Sequence, residues 1–145
     1  VNQYLKWYSI LVWFGLTANA IFAAFALWAP RRLQRAMRLN PLIDTVWLRN
    51  VGMLLMNVSI FNAGAALAPA RYPLYSYLVS VARVIAGFFF FRVVFWNPET
   101  STHRPRAFSP LWLFDSLMGA LCAILLTLGL RRERGAARRR RLPRP

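Results

Sequence analysis

Acidic side chains are almost missing from this chain: 145 residues hold four, Asp44, Glu99, Asp115 and Glu133. Cysteine and histidine occur once each, as Cys122 and His103. A single cysteine excludes an internal disulfide and a CxxC redox pair, and its place in an apolar run makes an inert thiol the ordinary reading. The single histidine lies in the polar segment NPETSTHRPR, which leaves no imidazole at membrane depth to ligate a haem or chlorophyll. Nucleophilic, acid–base and metal catalysis all need such groups in clusters, so the scarcity argues against an enzyme. The expectation is no catalytic residue, no metal site and no cofactor ligated by a side chain. Lipids, a quinone or pigments are left open at the protein's boundary.

What is present is apolar surface and arginine. Hydrophobic residues make up 58% of the chain, yet its formal net charge is +15. A soluble domain does not combine these values, so the two kinds of residue must be segregated along the sequence. The apolar residues fall into four blocks, 7–28, 47–67, 75–96 and 111–130, and most arginines lie between or after them. About 20 residues rising 1.5 Å each cross a hydrocarbon core of about 30 Å. The predicted fold is therefore an all-α membrane protein, an antiparallel bundle of four transmembrane helices over 1–130, followed by a basic arginine-rich tail over 131–145. The first block, with Lys6 before it and Ala18-Asn19-Ala20 within it, has features of a signal peptide. Because it stays apolar to Trp28, a retained helix is the better reading.

Charge sets the expected orientation. Four spans put both termini on one side, which collects Lys6, Arg71 and eight tail arginines, against six arginines in the two opposite loops. The positive-inside tendency then places both termini on the cytoplasmic side. Tyr4, Tyr8, Tyr72, Tyr75 and Tyr77 map to the terminal side and Trp28, Trp47, Trp96 and Trp112 to the other, as two interfacial aromatic belts would. In the first loop, PRRLQRAMRLNP, Arg31, Arg35 and Arg38 recur at helical spacing opposite Leu33, Ala36 and Met37. This fits a short helix lying in the interface, while a plain charged loop is the competing reading. The tail, RRERGAARRRRLPRP, cannot bury a core and is expected to be mobile unless bound to something acidic. It lacks the interleaved aromatics of a stacking platform, so anionic lipids or another subunit, and no nucleic acid, are its expected partners. Arg31, Arg32, Arg35, Arg38, Arg92, Arg138, Arg139, Arg140 and Arg141 are the candidate docking residues.

Each block carries a stripe of small or polar residues that should face other helices. The stripes are Gly15, Asn19, Ala23 and Ala26; Asn50, Asn57 and Gly64; Ser76, Ser80, Arg83 and Gly87; and Asp115, Gly119 and Cys122. Arg92, half a turn out of phase with Arg83 and near Trp96, can extend its head to the interface. Arg83 lies about 20 Å below the Trp96 end of an ideal helix and needs a partner inside. Asp115, counted from Trp112, falls about 15 Å short of that level, so Arg49 is its expected partner. Neutral acceptors, Asn19, Asn57, Asn62, Ser80 or a free carbonyl, are left for Arg83. Such an arginine either joins helices or binds an anionic lipid, a quinone carbonyl or a substrate anion.

The segments WLRNVG, AALAPARY, VARVIAG and FDSLMGAL, spread over about half the chain, resemble small four-helix bacterial inner-membrane proteins, DoxX-like in layout. The resemblance implies a four-helix bundle and points to Arg49, Arg83 and Asp115. The arginine-rich first loop and basic tail fall outside it. By elimination, the expected function is a non-catalytic accessory subunit of a large bacterial membrane complex, a photosynthetic reaction-centre or respiratory assembly. The alternative is a small anion or lipid carrier that uses Arg83.

Overall fold

In a computed structural model, which describes residues 2–37, 44–95 and 108–141, the chain is all-helical. The helices are α1 (Gln3–Trp28), α2 (Pro30–Ala36), α3 (Thr45–Leu67), α4 (Pro73–Phe95) and α5 (Phe108–Arg141). The stretches α1, α3 and Trp112–Ala137 of α5 are long and apolar enough to cross a membrane. The apolar stretch of α4, Pro73–Phe89, is shorter and is not among them.

Helix boundaries follow from local chemistry. The Asn2 side chain accepts from the Tyr4 amide and caps α1, while its Nδ2 donates to the Gly129 carbonyl at 2.8 Å, tying the N-terminus to α5. Asp44 caps α3 by accepting from the Val46 amide at 2.9 Å. Proline stands first in both α2 and α4, where its missing N–H removes no helical bond. The first loop forms the short helix, not the plain charged loop: Leu33 is buried against Ala26 and Leu48, with Met37 alongside, while Arg31, Arg32 and Arg35 are exposed. Ala36 departs from the expected apolar side and is exposed. Arg38 lies outside the described residues.

The bundle closes around two strong pairings, α4 with α5 and α1 with α3, joined by α1 against α5. Glycines set the α4–α5 register. Gly87 abuts the Trp112 carbonyl and Ser116, and Gly119 abuts the Ser80 carbonyl and the Val84 amide, so the backbones touch along antiparallel helices. Gly52 on α3 meets Ala23 and Ala26 on α1 in the same way. The larger buried cluster joins Leu5, Tyr8, Val12 and Leu16 to Ala65, Val79, Cys122 and Leu126. The broad outward apolar surface, including Phe14, Phe25, Phe61, Ile85 and Phe88, is what a hydrocarbon solvent accommodates.

Two expectations are corrected at this level. The arginine-rich tail is not separate from the last span: α5 runs unbroken for 34 residues, about 51 Å of helix, through Arg141. The preceding span supplies the nucleus, so arginine and alanine only have to propagate a helix, which both do well. The side chains of Arg138, Arg139, Arg140 and Arg141 lie outside the described residues. The tyrosines are the second correction, because three of the five do not form a belt. Tyr8 is fully buried and donates to the Ser76 carbonyl at 3.0 Å, Tyr75 donates to the Phe61 carbonyl, and Tyr77 shares a 2.7 Å hydrogen bond with Thr127. A phenol near a helix end can reach a neighbouring helix instead of the headgroups, and periodicity alone does not distinguish the two.

Candidate functional site

The buried polar residues of α4 form one line. Ser76, Ser80, Arg83 and Gly87 recur at intervals of three and four, and all four are buried. The two serines satisfy themselves locally: Ser80 Oγ donates to the Ser76 carbonyl at 3.1 Å, and Ser76 Oγ donates to the Tyr72 carbonyl at 3.1 Å. Tyr8 reaches the same Ser76 carbonyl from α1. Replacing Tyr8 with phenylalanine removes one interhelical bond but leaves that carbonyl accepting from Ser80. A loss of about 1 kcal/mol is expected, read as a lowered thermal midpoint in detergent.

Arg83 is 8% exposed, and its Nη1 donates to Asp115 Oδ1 at 3.0 Å, an ion pair between α4 and α5. The pair overturns the expected Arg49–Asp115 contact and the expected neutral acceptors for Arg83. Arg49 is exposed on α3, Asn57 is exposed and Asn62 half-buried, and none of them reaches Arg83. The physical reason is register. Levelling Trp112 with Trp96 set Asp115 too shallow relative to α4. The contacts of Gly87 and Gly119 instead place Asp115 beside residues near Ala86, about 5 Å along the axis from Arg83, a gap the side chains span.

α1 completes the enclosure through Gly15. A methyl group built there would overlap the Arg83 guanidinium, so the absence of a side chain at this position makes the space the charge occupies. Arg83 Nε is buried without a hydrogen-bond partner among the described residues, as is Ser59 Oγ on α3. The small-residue stripes of α1, α4 and α5 thus meet at the pair. The stripe read for α3 does not: Asn50 and Asn57 are exposed, and Leu48, Gly52, Ser59 and Ala66 form the buried side. On α3 the small residues Gly52, Ser59 and Ala66 recur every seven, a spacing as regular as that of the asparagines, and it marks the packing face. Arg92 is exposed, as its phase requires.

The ion pair, walled by Gly15, links α4 to α5 through Asp115 Oδ1, with the Asp115 side chain 18% exposed. No group of three or more histidine, cysteine or acidic residues placed to hold a metal occurs among the described residues. No protein-family model, curated protein or solved structure matches the chain.

Proposed function

We propose that the chain is a non-catalytic accessory subunit of a larger bacterial inner-membrane assembly, a photosynthetic reaction-centre or respiratory complex. In this reading α4 is a fourth span, both termini lie on the cytoplasmic side, and the protein contributes helix packing, lipid contacts and docking by its basic end. The DoxX-like layout belongs to the same proposal.

The observation that carries it is the contrast between inside and outside. Inside, the one ion pair among the described residues joins the chain's own helices. Outside, Asn57 stands midway along α3, exposed and without a hydrogen-bond partner among the described residues, with Asn50 two turns away on the same face. A hydroxyl can turn back to its own helix, as Thr17 does by donating to the Trp13 carbonyl at 3.0 Å. Lipid tails offer an exposed amide nothing, whereas a neighbouring transmembrane helix does. The helix from Arg131 to Ala137, exposed on all sides, gives that neighbour a basic handle. The competing reading, an anion carrier, has in its favour the unpartnered Arg83 Nε, but it requires Asp115 to release the guanidinium.

Mild-detergent purification from native membranes separates the two. The subunit reading expects co-migration with a pigmented or haem-containing complex, lost when residues 131–145 are deleted. A chain that is monodisperse alone and carries an anion across liposomes overturns it.

A further inference from the structure

At the end of the bundle opposite the termini, the break between α1 and α2 and the start of α3 form an open cleft of about 500 Å³ lined by Trp28, Arg31, Arg32, Thr45 and Arg49. Its volume falls in the range of small-molecule sites. Three arginines from two helices line it, and none of them has a salt-bridge partner among the described residues. Asp44 lies next to Thr45, but its carboxylate is turned onto the Val46 amide as the α3 cap. Counting that carboxylate, the local balance is about two positive charges, reinforced by the positive end of the 23-residue α3.

We propose that this cleft binds the phosphates of an anionic lipid headgroup, with a two-phosphate, dianionic headgroup the best match. Guanidinium forks take phosphate oxygens in pairs, and three of them serve two phosphates where a single phosphate would leave charge uncompensated. The lipid source follows from the rim. Trp28 is 77% exposed and Trp47 57% exposed, at helix ends where amphipathic rings sit at headgroup level, and the outward face of α1 below Trp28 is apolar with Ile21 and Phe25. A headgroup in the cleft therefore has a surface for its acyl chains. The assignment gives Arg49 a partner in place of the carboxylate it does not meet, and gives α2 a reason to fold back over the bundle end. It rests on the chain being embedded in a membrane, as the subunit reading also does, but not on the presence of other subunits.

The test uses the full chain purified alone, with bound lipid counted by native mass spectrometry. Wild-type protein is expected to retain diphosphatidylglycerol at least tenfold better than phosphatidylcholine, and R31Q/R32Q/R49Q to lose that preference. A variant with equal charge loss at the other end, R131Q/R132Q/R134Q, should keep it. R49Q alone, at an exposed position, should weaken retention severalfold and guards against a folding failure of the triple variant, with helical content checked by circular dichroism. Equal loss in both triple variants, or none in R31Q/R32Q/R49Q, overturns the site. Displacement of the lipid by millimolar inorganic pyrophosphate, with no acyl-chain dependence, overturns the lipid assignment in favour of a soluble anion. Because the readout needs no partner, lost lipid selectivity with intact co-migration rejects this site alone, and the reverse result rejects the subunit reading alone.

Discussion

Replacing Asp115 with leucine is expected to destabilise the bundle by about 3 kcal/mol, more than any single apolar substitution on the lipid-facing surface, because it leaves the Arg83 guanidinium enclosed without its counter-charge. The side chains of the pair are 9% and 18% exposed, so water replaces the lost partner poorly. Gly15 faces the guanidinium from α1, and Arg83 Nε has no partner among the described residues to compensate. The loss should appear as a lower midpoint in detergent-mediated unfolding and as faster proteolysis between α4 and α5. An Asp115→Asn variant, which keeps an acceptor oxygen, should recover part of the loss. Equal stability of wild type and D115L would mean that the pair contributes nothing to folding.

Gly119→Leu is the second substitution with a large expected effect, again roughly 3 kcal/mol, by a different mechanism. A Cβ at position 119 would lie 2.7 Å from the Ser80 carbonyl and 2.9 Å from the Val84 amide. Those are backbone atoms of α4, so no rotamer change relieves the overlap and the helices must separate. α4 and α5 form the most extensive helix pair, and their separation also pulls Asp115 away from Arg83. Gly135→Leu, at a position with open space around it, is the matched control and should leave the thermal midpoint unchanged or slightly raised. A similar midpoint for G119L and G135L would show that α4 and α5 do not pack through their backbones.

The sequence carried the helices but not their registration. Apolar block length located α1, α3 and α4 to within a few residues, and the spacing of Gly15, Ala23 and Ala26, of Ser76, Ser80, Arg83 and Gly87, and of Gly119 and Cys122 identified packing faces correctly. These are properties of one helix at a time. The Arg83–Asp115 pair is a property of two helices and their relative shift, which tryptophans at presumed interface levels set wrongly by several residues. Glycine contacts fix that shift, and in sequence they are visible only as glycines. On α3 two seven-residue patterns competed, the asparagines and Gly52, Ser59 and Ala66; the polar one drew the assignment although the small one packs. The arginine tail was read from its charge, whereas its helix follows from what precedes it. The cleft formed by Arg31, Arg32 and Arg49 depends on α2 folding back toward the start of α3, which brings together residues about 18 apart in sequence in a way no local pattern encodes.

The proposed subunit function requires that the charge at position 83 be structural, held by position 115 and not reserved for a ligand. A double-mutant cycle in unfolding free energy measures this directly, with R83M, D115L and the charge-free R83M/D115L variant. The account predicts that each single variant is destabilised and that the double variant regains most of the loss, a coupling of about 2 kcal/mol or more. Additive losses with a coupling near zero would contradict it.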